Sequence, residues 1–121
     1  MFKNLNILII DDSATARITI KKLVEELGHT PILANNGLLA LEAALQEMPD
    51  LILLDLSMPV LDGPQVLSIL KRHPKTAHIP IAILSGKEEA SEMIRAKSLG
   101  AIDFVKKPCS PESLSHVINQ L

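Results

Sequence analysis

Large aromatic residues are almost missing from this chain: of 121 residues only Phe2 and Phe104 carry a phenyl ring, and there is no Trp or Tyr. Its core must therefore be assembled from Leu, Ile, Val, Ala and Met. A single cysteine, Cys109, excludes an internal disulfide. A chain of this length can bury roughly two thirds of its unfolded surface and needs no such staple. Excess charge of either sign is also lacking, since 12 Lys and Arg stand against 14 Asp and Glu. A net charge of −2 leaves no basic footprint for nucleic acid or an anionic membrane. No apolar stretch approaches the ~20 residues that span a bilayer. The first apolar run, 5–10, is too short for a leader and ends in Asp11 and Asp12. A cytoplasmic protein is expected. No linker composition or internal repeat divides the sequence, so one domain over 1–121 is expected.

Hydrophobic residues make up 47% of the chain, and their placement is informative. Short, nearly continuous apolar runs occur at 5–10, 51–54, 79–84 and 101–105, with a weaker one at 30–34. Such runs suit strands buried on both faces. Between them the apolar spacing turns helical, over 14–27, 37–48, 64–72, 88–99 and from 111 to the end. Gly28 supplies a stop for the first of these, Pro64 suits a first turn, and Ser110 with Pro111 reads as a cap and first residue. Five strands alternating with five helices predict an α/β doubly wound parallel sheet with helices on both faces.

In such a sheet, ligands bind beyond the carboxyl ends of the strands. Asp11 and Asp12 follow the first run, Asp55 follows the third, Ser85 the fourth, and Lys106, Lys107 and Pro108 the fifth. Three neighbouring carboxylates cannot all stay ionised in a partly desolvated pocket unless a cation lies among them. All-oxygen ligands favour a hard ion such as Mg²⁺ and disfavour zinc. The bland alternative, that Asp11, Asp12 or Ser13 merely caps a helix, does not explain five groups converging on one edge.

The segments 9–13, 55–63, 84–86 and 100–108 together resemble the receiver domain of two-component response regulators, over essentially the whole chain. The resemblance implies a flavodoxin-like fold with strand order 2-1-3-4-5. It also implies a phosphoacceptor at Asp55 and Mg²⁺ held by Asp11, Asp12, Asp55 and the carbonyl of Ser57. Ser85 would then bind a phosphoryl oxygen, Lys107 would pair with the phosphoryl charge ahead of a cis Pro108, and Phe104 would act as a switch aromatic moving from an exposed to a buried rotamer. Ser57 and Lys87 would stand where side chains tune hydrolysis. The implied partners are a sensor histidine kinase or phosphotransfer protein and a downstream target or fused output domain. A phosphorylation-linked homodimer is compatible with such a domain, although no residue pattern specifies one.

Two rival readings remain. An aspartyl-nucleophile phosphatase would need a second Asp two residues after Asp55, where Ser57 stands. A docking module that never takes phosphate would not need Asp11, Asp12, Asp55, Ser85 and Lys107 together. The four histidines have no Cys or carboxylate at ligand spacing and read as surface residues, Cys109 as an incidental thiol, and Glu88, Glu89 and Glu92 as a solvated helix face.

Overall fold

The computed structural model describes residues 3–86 and 90–121. Ten elements alternate along them: β1 (Asn6–Ile10), α1 (Ala14–Glu26), β2 (Thr30–Ala34), α2 (Gly37–Glu47), β3 (Leu51–Asp55), α3 (Gly63–Arg72), β4 (Ile81–Ser85), α4 (Ala90–Ser98), β5 (Asp103–Lys106) and α5 (Pro111–Ile118). All strand pairs are parallel and the order is β2-β1-β3-β4-β5. The doubly wound sheet expected from the sequence is therefore present, with its switch point between β1 and β3.

Every residue of β3 and β4 is buried, as continuous apolar runs in a two-sided sheet require. Alternate residues serve opposite layers. Leu8, Ile10, Ile52, Leu54, Ile81 and Ile83 pack with α2, α3 and α4 through Ala40, Ala44, Val66, Leu67, Leu70 and Ala96. Ile7, Ile9, Leu51, Leu53, Ala82, Leu84 and Val105 pack with α1 and α5 through Ile20, Val24, Leu114 and Val117. Burying these side chains supplies the main driving force. β2 carries Pro31 and lies at the sheet edge, where a missing N–H costs no ladder bond.

Several boundaries differ from those expected. The fourth strand begins at Ile81 instead of 79, because Ile79 closes a turn onto the Thr76 carbonyl and Pro80 has no N–H to donate. The fifth begins at Asp103 because the Ala101 N–H is engaged by the Ala96 carbonyl at the end of α4. Residues 88 and 89 of the expected fourth helix lie outside the described residues, as does Lys87. Ser13, and not Asp11 or Asp12, is the N-cap of α1, accepting from the Ala16 N–H. Ser110 caps α5 with Pro111 in its first turn, and Gly28 takes φ +87° after α1.

Two of the histidines expected at the surface are half-buried. His29 Nδ1 accepts the Leu5 N–H at 3.0 Å, and His73 Nδ1 accepts the Lys75 N–H at 3.0 Å. His29 thereby ties the α1–β2 connection to the residue before β1, and His73 closes the turn that follows α3. His78 and His116 are exposed, with His116 Nε2 lying 3.6 Å from Asp103 Oδ2. Among the described residues no helix is long and apolar enough to cross a membrane.

Candidate functional site

The parallel sheet brings the carboxyl ends of β1, β3, β4 and β5 to one edge, and the polar residues that end those strands meet there. Asp11 is fully buried, Asp55 and Ser85 are buried, Lys107 is partly covered and Asp12 is exposed. One carboxylate oxygen from each of Asp11, Asp12 and Asp55 lies within 4.8 Å of the other two.

Each group is held by its local backbone. Asp11 donates its N–H to the Ala34 carbonyl of β2 and receives the Ser13 N–H on Oδ1 at 2.9 Å. Asp55 Oδ1 receives the Ser57 N–H at 3.1 Å, an Asx turn that fixes the carboxylate at the strand end. Lys107 donates its N–H to the Ser85 carbonyl at 2.7 Å, and the Lys107-Pro108 bond is cis, as the resemblance implied. Its ammonium lies 2.6 Å from Asp11 Oδ2 and 3.6 Å from Asp55 Oδ2. Lys106 is exposed, so Lys107 is the lysine that serves the pocket.

The electrostatics express a surplus of negative charge. Burial raises the Asp55 pKa from 3.8 to about 6; the Ser57 N–H and Lys107 oppose this, and Asp11 and Asp12 add to it. Burial opposes the Lys107 charge, but the hydrogen bond it donates to Asp11 and the attraction of Asp55 outweigh it and raise its pKa. Cys109 is pushed to about 11, mainly by burial, and is an unreactive thiol packed on the α1/α5 layer. The donor set fits a hard divalent cation. Three carboxylates converge, while the Lys107 ammonium beside the buried Asp11 Oδ2 supplies one positive charge against them.

Phe104 is half-buried, packed against the α2/α3/α4 layer, and this corrects the exposed starting position expected of it. The reason is register: Phe104 lies opposite Ile83, on the side of the sheet where Leu99 and Ala96 also pack.

Two contributors escaped the sequence reading. Arg17 Nη1 donates to the Asp11 carbonyl at 2.7 Å, tying α1 to the loop that carries both N-terminal aspartates. Its signal was a base in the first turn of α1, where the helix dipole disfavours positive charge, so that some other interaction must hold it. Gly63 is the other. A Cβ there would lie 2.4 Å from the Leu56 Cα and 2.5 Å from the Asp55 carbonyl oxygen, so only glycine lets α3 start directly beneath β3. Asp62 and Gln65 form a capping box at the same point.

A switch-point pocket of three carboxylates and an ammonium, with Ser85 ending the neighbouring strand, on a 2-1-3-4-5 sheet defines a class of α/β protein able to hold a hard cation beside an anion. Residues 7–119 match the response regulator receiver domain, and the chain belongs to that family, the receivers of two-component signalling. It is 36% identical over 113 residues to protein PilH of Pseudomonas aeruginosa, covering 93% of each chain. It is 34% identical over 108 residues to the phosphate regulon transcriptional regulatory protein PhoB of Klebsiella pneumoniae, matching 89% of this chain but 47% of that one. Of a probable transcriptional regulator from Guillardia theta it likewise spans only 41%. Among solved structures it superposes on the N-terminal domain of a response regulator receiver protein from Methanoculleus marisnigri with TM-score 0.81 and 31% identity, covering 98% and 97% of the two chains. On chemotaxis response regulator CheY4 of Vibrio cholerae the TM-score is 0.86 with 26% identity, covering 98% of each.

Proposed function

We propose that this receiver, taken as the unit 1–121, accepts a phosphoryl group on Asp55 from the phosphohistidine of a sensor histidine kinase or phosphotransfer protein in the cytoplasm. The signal would pass by conformational change to a downstream protein or an attached output domain. The observation that carries this reading is the convergence of Asp11, Asp12 and Asp55 within 4.8 Å, with the Lys107 ammonium beside them.

Asp12, Asp55 and the Ser57 carbonyl would hold Mg²⁺, with Asp11 supporting it, and the ion when bound would neutralise charge on the phosphoryl oxygens. An Asp55 oxygen attacks phosphorus in line, the P–N bond to imidazole breaks, and its electron pair leaves with the ring. Lys107 moves from Asp11 toward the new dianion, and the Ser85 hydroxyl donates to one of its oxygens. That inward pull leaves room for Phe104 to turn from its half-buried position to a buried one, altering the face made by α4, β5 and α5. Self-phosphorylation from small donors and loss of phosphate to water belong to the same pocket. Ser57 flanks the path of the attacking water.

The test is the intact mass after incubation with acetyl phosphate, with and without Mg²⁺, for the parent and Asp55→Asn. One added phosphoryl that needs both Mg²⁺ and Asp55 supports the reading. If no mass is added and beryllofluoride fails to bind as well, the domain is a phosphorylation-independent docking module.

A further inference from the structure

A second surface, away from the acidic pocket, has a chemistry of its own. α3 turns Val66, Leu67 and Leu70 into the core, while Gln65, Ser68, Ile69 and Arg72 recur at three- and four-residue spacing on another stripe. Facing that stripe are Arg95 of α4 and Leu99 just beyond it, and Leu61 with Pro64 closes the end nearest the N-terminus of α3. Together they line a groove of about 370 Å³ between two helices that run in the same direction.

The groove has an apolar floor and unbalanced positive charge. Ile69 is 42% exposed, and Leu61 and Leu99 are half-buried. Among the described residues no Asp or Glu lines it, and neither Arg72 nor Arg95 has a carboxylate at ion-pair distance. Neighbouring Lys71 is already engaged, donating to the carbonyls of Ala77 and Ile79. In a chain with more acids than bases, two guanidinium groups on one groove stand against the overall balance. Helix dipoles favour a base in the last turn, which accounts for where Arg72 and Arg95 fall along their helices. They do not account for the apolar side chains left uncovered between the two.

We propose that this α3/α4 groove docks an acidic amphipathic helix of a partner protein. Apolar side chains one turn apart would sit on Leu61, Ile69 and Leu99, and carboxylates flanking that stripe would meet the Arg72 and Arg95 forks. Complementary charge is the reason for choosing an acidic partner, and the parallel flanking helices are the reason for choosing a helical one. The proposal does not depend on phosphorylation of Asp55.

The probe is a fluorescein-labelled helical peptide of about 18 residues with a Leu stripe flanked by Glu, beside a scramble of the same composition with the stripe dispersed. Fluorescence anisotropy is read against the intact protein. Saturable binding of the striped peptide is expected, weakened at least about tenfold by Arg72→Glu with Arg95→Glu and by Ile69→Asp. The neutral pair Arg72→Gln and Arg95→Gln reads the same loss should charge reversal disturb folding, which thermal melts would reveal. Absence of binding to the parent would overturn the proposal, as would equal binding of the scramble or equal binding by the arginine variants. Displacement of the peptide by phosphatidylserine vesicles or duplex DNA at lower concentration would likewise overturn it, assigning the groove to a phosphate surface.

Discussion

Lys107 leans more closely on Asp11 than on Asp55: its ammonium is 2.6 Å from the fully buried Asp11 carboxylate and 3.6 Å from Asp55. The ion pair therefore holds the pocket together before any phosphate arrives. Removing a buried charge's only neutraliser costs about 3–5 kcal/mol, and because the Lys107 side chain is 24% exposed we expect about 1–3 kcal/mol for Lys107→Met. Urea denaturation in EDTA measures it. Saturating Mg²⁺ should return part of the loss, and an unchanged midpoint in EDTA would show that the contact contributes nothing.

Asp55 makes the opposite prediction. Its folded pKa is about 6 and its ordinary value 3.8, so the unfolded chain gives up this proton first as pH rises. Stability of the metal-free protein should fall as pH climbs from about 4 through 6, and the full cost is present above that. Asp55→Asn removes the charge. In EDTA it should be more stable than the parent at pH 7, by roughly 1–3 kcal/mol, with the gap closing toward pH 4. Denaturation midpoints across that range, for both proteins, would show whether the gap has this sign.

Gly63 sets how closely α3 approaches the strand that carries Asp55. Since backbone atoms of Leu56 and Asp55 would meet a Cβ at 2.4 and 2.5 Å, no rotamer can relieve Gly63→Ala. We expect a cost of about 3 kcal/mol or more. Gly28→Ala is the contrast, with no atom within 4 Å and only its φ of +87° at issue, so it should lose about 1 kcal/mol. Equal losses at the two glycines would mean that close approach beneath β3 is not what Gly63 provides.

The layers and the position of the pocket were legible in the sequence because parallel strands buried on both faces write continuous apolar runs, and because the polar residue ending each run must fall at one edge. Asp11, Asp55, Ser85 and Lys107 were found on that logic. What was not legible depends on contacts across the chain. The pairing of Lys107 with Asp11 requires distances between β5 and β1, and the half-buried position of Phe104 requires the register of β5 on β4. The starts of β4 and β5 were displaced because Ile79 and Ala101 are apolar yet spend their N–H groups closing turns onto Thr76 and Ala96. Hydrophobic pattern alone does not separate a buried turn from a buried strand.

Arg17 carries the last prediction. Its hydrogen bond to the Asp11 carbonyl, with the Asp11 N–H held by Ala34, clamps the peptide that aims both N-terminal carboxylates. A charge-assisted hydrogen bond of this kind contributes about 1.5–3 kcal/mol locally. In Arg17→Ala the Ser13 amide, which is bonded to Asp11 Oδ1, should exchange with solvent about tenfold faster or more, while amides of β3 and β4 keep their protection. Arg17→Lys keeps a donor and should recover part of the difference. Native-state hydrogen exchange in EDTA reads this apart from any metal or phosphate chemistry. If Ser13 and the β3 amides accelerate together, Arg17 supports the whole domain; if neither changes, the clamp does not order the loop.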